Sequence, residues 1–158
     1  MDVKALIHKL QLKVHPEGGF YRETYRSTEC LTTSKGKVRN ISTAIYYLLE
    51  NEDISRFHRI QSDELWFFHL GQPLEIFVIL DNQLVTIHLG SDVENGEVPQ
   101  AMIPANSWFA SSVKNAAGYS LVSCTVAPGF DFMDFELADR EMLVEQYPHL
   151  INIIESYT

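Results

Sequence analysis

Hydrophobic positions change their spacing twice along the chain. Val3, Leu6, Ile7 and Leu10 recur at i, i+3, i+4, i+7 behind Asp2, which predicts a short amphipathic helix capped by Asp2 and closed by His15-Pro16. At the far end Met142, Leu143 and Gln146 keep helical spacing between Asp139 and Tyr147. Pro148 interrupts that pattern, and Leu150, Ile151, Ile153 and Ile154 predict one or two further turns. Between the two ends lie short runs rich in aromatic and β-branched residues, at 19–25, 42–49, 55–60, 64–70, 74–80, 83–89, 100–103, 107–112 and 119–127. Turn chemistry separates them at Asp81-Asn82, Gly90-Ser91-Asp92, Asn95-Gly96 and Pro104-Ala105-Asn106, close to the roughly 8–12-residue spacing of a sandwich or barrel. The expectation is an all-β core with short N- and C-terminal helices, a single domain over residues 1–158.

Composition narrows the partners. With 12 Lys and Arg against 21 Asp and Glu, the net charge is −9, and no basic cluster offers a footprint for nucleic acid or an anionic membrane surface. No apolar run approaches the ~18 residues of a membrane helix, and Met1 to Leu12 is too charged for the apolar part of a signal peptide. Cys30 and Cys124 lack the CxxC spacing of a zinc or redox site, so they are read as reduced thiols. The expected location is cytoplasmic. The expected partner is a small molecule rather than nucleic acid or membrane.

The candidate chemistry lies in Ser55–Gly71, which reads as strand, turn, strand. Strict alternation puts Arg56, His58 and Ile60 on one face, and Glu64, Trp66 and Phe68 in phase with one another after the turn. An imidazole and a carboxylate then converge on one cavity, either as an acid/base pair or as a buried polar pair that pins two strands. The first reading is preferred, because an interior that needed only packing would be aliphatic. In 20–26, alternation sets Tyr21, Glu23 and Tyr25 against Arg22, Thr24 and Arg26. Arg22 is a candidate anion clamp or a surface ion-pair partner. Trp66, Phe68, Trp108 and Phe109 are candidate ligand-binding walls, or packing. His15-Pro16-Glu17-Gly18-Gly19 reads as a turn leading into the first strand. Asp131, Asp134, Glu136 and Asp139 alternate with Phe130, Phe132 and Phe135, which predicts a crossover whose phenylalanines pack on the β core, with Asp139 as a helix cap. No GxGxxG, P-loop, GxSxG or HExxH pattern is present.

The spacing His58-x-Ile60-x3-Glu64-x6-Gly71 resembles the first cupin motif, and Pro104-x-Asn106-x2-Phe109 resembles the second. In those motifs three histidines and a glutamate hold a metal. Here Ile60 and Phe109 occupy two of the four ligand positions, so the expectation is no cofactor, with a divalent metal as the minor alternative. His15-Pro-Glu-Gly-Gly-Phe-Tyr-Arg-Glu-Thr-Tyr-Arg-Ser27, Ser42-Thr-Ala-Ile-Tyr46 and Cys124-Thr-Val-Ala-Pro-Gly-Phe-Asp-Phe-Met-Asp-Phe-Glu-Leu137 resemble one uncharacterised cupin family more closely. The resemblance implies an RmlC-like double-stranded β-helix (jelly roll), a homodimer and a ligand-sized cavity. The family tends to carry Pro-Ala-Gly and then Trp-Gln where this chain has Pro104-Ala-Asn-Ser-Trp108-Phe109. The function expected is binding of a small polar or carbohydrate-like ligand through His58, Glu64 and Arg22, with Arg56 nearby. As an enzyme it would be a metal-independent epimerase or isomerase in which His58 is the base, Glu64 holds the ring, and Tyr21 or Tyr25 donates a proton. The alternatives are a non-enzymatic metabolite-binding protein and a metal-dependent dioxygenase or lyase.

Overall fold

The computed structural model describes residues 2–158, so only Met1 of the N-terminal segment lies outside it. Asp2 accepts a hydrogen bond from Lys4 N–H and caps α1 (Val3–Leu10), whose last carbonyls are closed by Gln11 in the left-handed region. The strands are β1 (Lys13–Val14), β2 (Phe20–Arg26), β3 (Cys30–Thr32), β4 (Val38–Asn40), β5 (Thr43–Glu50), β6 (Ile54–Arg59) and β7 (Asp63–Gly71). They continue with β8 (Leu74–Leu80), β9 (Gln83–Leu89), β10 (Gln100–Ile103), β11 (Phe109–Val113), β12 (Tyr119–Ala127) and β13 (Glu136–Leu137). The C-terminus folds as α2 (Arg140–Gln146) and α3 (Ile151–Ser156), separated by a short 3₁₀ turn that starts at Pro148. Asp139 caps α2 through Met142 N–H, as expected. No helix of the described residues is long and apolar enough to cross a membrane.

Among the described residues the strands form two antiparallel sheets, ordered β1-β2-β5-β12-β7-β10 and β13-β6-β11-β8-β9, with β3-β4 as a separate hairpin. The interior between them is filled from both sides. Tyr47, Leu49, Trp66, Val122 and Cys124 come from the first sheet, and Leu74, Ile76, Val78, Phe109 and Val113 from the second. Odd and even positions separate as strand geometry requires. Leu48 and Leu121 point the other way and meet Leu6 and Leu12, so α1 covers the first sheet. Phe57, Ile79, Trp108 and Ala110 point outward from the second sheet onto Leu143 of α2 and Ile154 of α3.

Each of the nine expected strands is present, with shifts of a few residues at the ends. The run 107–112 begins only at Phe109, and Trp108 lies just before it. β1, β3, β4 and β13 have two or three residues each and mostly exposed side chains, so they carry no apolar alternation to read.

Two β-bulges decide what faces the interior. Along β2, Glu23 pairs with Ile45 and Tyr25 with Ala44, so Thr24 is an extra residue. Along β6, His58 pairs with Phe109 and Ser55 with Ser111, so two residues stand opposite Ala110. A bulge reverses the side-chain phase beyond it. Arg26 therefore joins Tyr21 and Glu23, Ser55 joins His58, and Arg56 is turned out to solvent. These three outcomes overturn the strict alternation expected for β2 and β6.

The layer between the second sheet and the C-terminal helices depends on Phe57, which is fully buried and edge-on to Tyr157 at 6.3 Å. Phe57→Ala is expected to lower unfolding stability by about 3–5 kcal/mol in urea denaturation, with retention of the β-sheet circular dichroism signal.

Candidate functional site

One end of the space between the sheets is not filled by core side chains. A cavity of about 210 Å³ lies there. Its polar wall comprises His15, Glu17, Tyr21, His58 and Glu64, and its apolar wall Ile45, Ile60 and Val126 with Phe130, Phe132 and Phe135 of the segment after β12. Lys13, Glu23 and Arg26 also border it.

Glu17 organises the polar wall, although it belongs to the turn read only as an entry to β2. The turn is closed by Gly18 N–H to His15 O at 3.1 Å and His15 N–H to Gly19 O at 2.9 Å. Gly18 has φ +119°, and a Cβ there would collide with the Ile54 carbonyl oxygen of β6. The turn can therefore sit directly on β6, where Arg56 N–H donates to Glu17 O at 3.0 Å, while Tyr47 Oη donates to Gly18 O at 2.8 Å. The buried Glu17 carboxylate accepts from Ser55 Oγ at 3.0 Å, and its other oxygen lies 3.0 Å from His58 Nε2.

This geometry fixes the protons on His58. Its Nδ1 lies 2.7 Å from Arg56 O, and a carbonyl only accepts, so Nδ1 carries hydrogen. Its Nε2 faces a carboxylate oxygen, so one further proton is held between His58 and Glu17. Glu17, not Glu64, thus orients the imidazole, which corrects the expected pairing. Phe109 packs on the ring at 4.1 Å between centroids. His15 is the opposite case. Its Nδ1 accepts from Glu17 N–H at 3.2 Å, and burial lowers its pKa, against the pull of Glu17 and with the push of His58, so the neutral ring carries hydrogen on Nε2.

Glu64 is left free of that pair. Burial, followed by the negative charge of Glu17, raises its pKa to about 8, while Trp66 and Cys124 favour the anion by smaller amounts. The buried Trp66 Nε1–H meets no acceptor at hydrogen-bonding distance, so its effect on Glu64 falls short of a closed bond. Near neutral pH Glu64 is mostly a carboxylic acid, able to donate a hydrogen bond into the cavity.

The remaining expected site residues divide clearly. His58, Glu64 and Tyr21 border the cavity. Arg22 does not. It donates from Nη1 to Gln11 Oε1 at 3.2 Å and lies over the Tyr46 ring on the outer, α1-covered side. Arg56 is exposed, as is Tyr25. Trp66, Phe68 and Phe109 pack in the core beside the cavity, and Trp108 lies on the far face of the second sheet under Arg59, 4.4 Å from its ring. Of the arginines of β2 it is Arg26 that borders the cavity, and the aromatic wall is formed by Phe130, Phe132 and Phe135, which were read as packing on the β core. Alternation with the Thr24 bulge inserted would have found Arg26. Glu17 had no periodic signal, only its place between Pro16 and two glycines.

The donor set does not fit the metal of the cupin motifs. Ile60 forms cavity wall at one ligand position, Phe109 stacks on His58 at another, and His58 Nε2 is occupied by Glu17. Among the described residues no three His, Cys, Asp or Glu side chains are placed to hold a metal ion.

Glu64 also links the site to folding. Its folded-state pKa of about 8 exceeds the ordinary 4.5, so the folded chain keeps a proton that the unfolded chain releases. Stability contributed by this group is complete below pH 4.5 and falls as pH rises to about 8, by up to ~1.4 kcal/mol per pH unit. Glu64→Gln is expected to flatten this decline in urea unfolding measured from pH 5 to 9. A slope unchanged by the substitution would contradict the assignment.

The fold recurs in related chains. A hypothetical protein from Leishmania major shares 38% identity with a TM-score of 0.94, covering 100% of this chain and 99% of that one. Protein SO0799 from Shewanella oneidensis shares 40% with a TM-score of 0.92, covering 100% and 98%. An uncharacterized protein of Saccharomyces cerevisiae is 31% identical over 164 residues, covering 95% of this chain and 80% of that protein. Oxalate decarboxylase from Bacillus subtilis, at 10% identity and a TM-score of 0.58, shares the cupin fold, with 92% of this chain matching 36% of that one. Residues 4–138 match the family described as Cupin superfamily (DUF985), and with relatives of this similarity along its length the chain belongs to that family.

Proposed function

We propose that the chain binds a small polar or carbohydrate-like molecule in the cavity, with Glu64 donating to a ligand oxygen and the Glu17–His58 pair and Tyr21 completing the polar wall. One observation carries the reading: a buried carboxyl group kept protonated and a buried carboxylate–imidazole pair holding one proton border the same cavity. The volume of about 210 Å³ is below the ~300 Å³ at which drug-sized pockets begin. It corresponds to about seven waters of liquid volume, the scale of one small ring or a short chain.

The same groups support metal-independent proton transfer, as in an isomerase or epimerase. A ligand C–H proton passes to the Glu17–His58 pair, which then holds two, while Glu64 gives its proton to the ligand oxygen. Return of the protons to the opposite positions or faces completes the exchange. Tyr21, on the β2 side, supplies a further hydroxyl at the cavity. His58 by itself is not the base, because both its nitrogens already face acceptors. That saturation also favours a second reading, a non-enzymatic binding protein in which the pair is a fixed recognition surface.

Deuterium wash-in separates the two. Small aldoses, ketoses and 2-hydroxy acids incubated with the protein in D₂O are expected to exchange a C–H in at least one case, followed by NMR. Glu64→Gln and Glu17→Gln are expected to slow that exchange by about 100-fold or more. Saturable binding with no exchange in any compound would establish the non-enzymatic reading instead.

A further inference from the structure

The charge of the cavity does not follow the charge of the protein. The chain carries −9 overall, yet the charged carboxylates at the cavity are answered locally. Glu23 takes Arg26 Nε and Nη2 at 2.9 and 2.8 Å, and Glu17 takes His58 and Ser55. The Glu17–His58 pair with its single shared proton sums to zero wherever that proton sits. Glu64 and His15 are held neutral near pH 7 by their burial.

Arg26 has nothing left for a ligand. Beyond Glu23, its Nη1 donates to Asn40 Oδ1 at 2.8 Å, and both Nη atoms donate to Phe130 O at 3.1 Å. These bonds use each of the five N–H donors of a guanidinium. Arg26 therefore ties the phenylalanine segment to β2, and it is a structural cation.

Lys13 differs. Its ammonium borders the cavity, 5.1 Å from the centroid of the Tyr21 ring, and no carboxylate among the described residues lies within ion-pair distance of it. The side chain is exposed and makes no hydrogen bond or ion pair with the described residues, so a ligand can meet its ammonium at the end of a flexible four-carbon stem. One uncompensated positive charge thus stands at the rim, above a neutral donor in the interior.

We infer that the cavity selects a small monocarboxylate, with its anionic group at Lys13 and a hydroxyl or carbonyl oxygen directed toward Glu64. The inference rests on the cavity being the ligand site proposed above, and it narrows the ligand class from polar molecules in general to organic monoanions. The Phe130, Phe132 and Phe135 rings then flank the ligand's carbon skeleton, which suits a short, partly apolar acid better than a fully hydroxylated sugar.

The test is a titration of ¹⁵N-labelled protein at constant ionic strength. The probes are acetate, lactate, pyruvate and benzoate, the corresponding amides, and neutral glucose and xylose, and the readout is the amide shifts of Tyr21, His58 and Glu64. At least one acid is expected to saturate with shifts at these residues and to bind about tenfold or more tightly than its amide. Lys13→Gln, at an exposed position, is expected to weaken that acid about tenfold and leave its amide unchanged, while Lys13→Arg restores most of the preference. Equal affinity for acid and amide, unchanged acid affinity in Lys13→Gln, or cavity shifts with sugars but not acids would overturn the monocarboxylate assignment and leave the ligand site standing. Silence of these residues toward every probe would overturn both.

Discussion

A carboxylate withdrawn from water must find donors, or its burial costs several kcal/mol. Glu17 is buried and finds two, Ser55 Oγ and His58 Nε2, both on β6. That demand links otherwise separate parts of the chain. The turn before β2 must lie against β6, so the residue after Glu17 must present no Cβ toward the Ile54 carbonyl, and Gly18 meets that condition. Ser55 and His58 must also share a face, which regular alternation forbids at a spacing of three, so β6 carries a bulge. The imidazole is then clamped between a carbonyl and a carboxylate.

The same pair sets the character of its neighbours. The negative charge of Glu17 adds to burial in holding Glu64 protonated, and together they outweigh Trp66 and Cys124, which favour the anion. Two residues of one type thereby acquire complementary roles in a single cavity. Arg26 plays a comparable structural part at the mouth, where its guanidinium connects Glu23 on β2 to the carbonyl of Phe130. Further along the same segment, Asp134 accepts from Arg39 Nε at 2.7 Å and from Lys37 Nζ at 2.7 Å, which attaches the phenylalanine wall to the β3–β4 hairpin. The acidic run therefore anchors one wall of the cavity, a role its charge pattern alone did not suggest.

Most of the scaffold was legible because its signals are local. The nine strand runs, the Asp2 and Asp139 caps and the break at Pro148 each depend on residues a few positions apart, and the structure has each of them. The very short strands were not legible, since two or three mostly exposed residues have no measurable period. His58 and Glu64 were placed at the cavity from the phase of their own strands, whereas the alternation of β2 separated Tyr21 from Arg22 without choosing the inward face. Arg22, Arg56 and Trp108 were misplaced for different physical reasons. Arg56 follows a strict count of two through β6, whose bulge moves Ser55 inward instead, while Arg22 lies before the Thr24 bulge on the face opposite Tyr21 and Glu23, and alternation alone did not say which face of β2 is inward. Trp108 points to the face covered by the C-terminal helices, where its neighbours in space come from the far end of the chain.

The sequence by itself determined the cupin scaffold, the number of long strands, the terminal helices and two of the polar groups in the cavity, because hydrophobic period, turn chemistry and motif spacing are properties of neighbouring residues. Only the tertiary structure decided which carboxylate orients His58, which one keeps its proton, which cation remains unpaired and which aromatic rings form the wall. Those outcomes depend on strand register and on the distance between segments remote in sequence. A single extra residue in a ladder reverses a face, and a carboxyl group becomes acid or anion according to donors that no local pattern records.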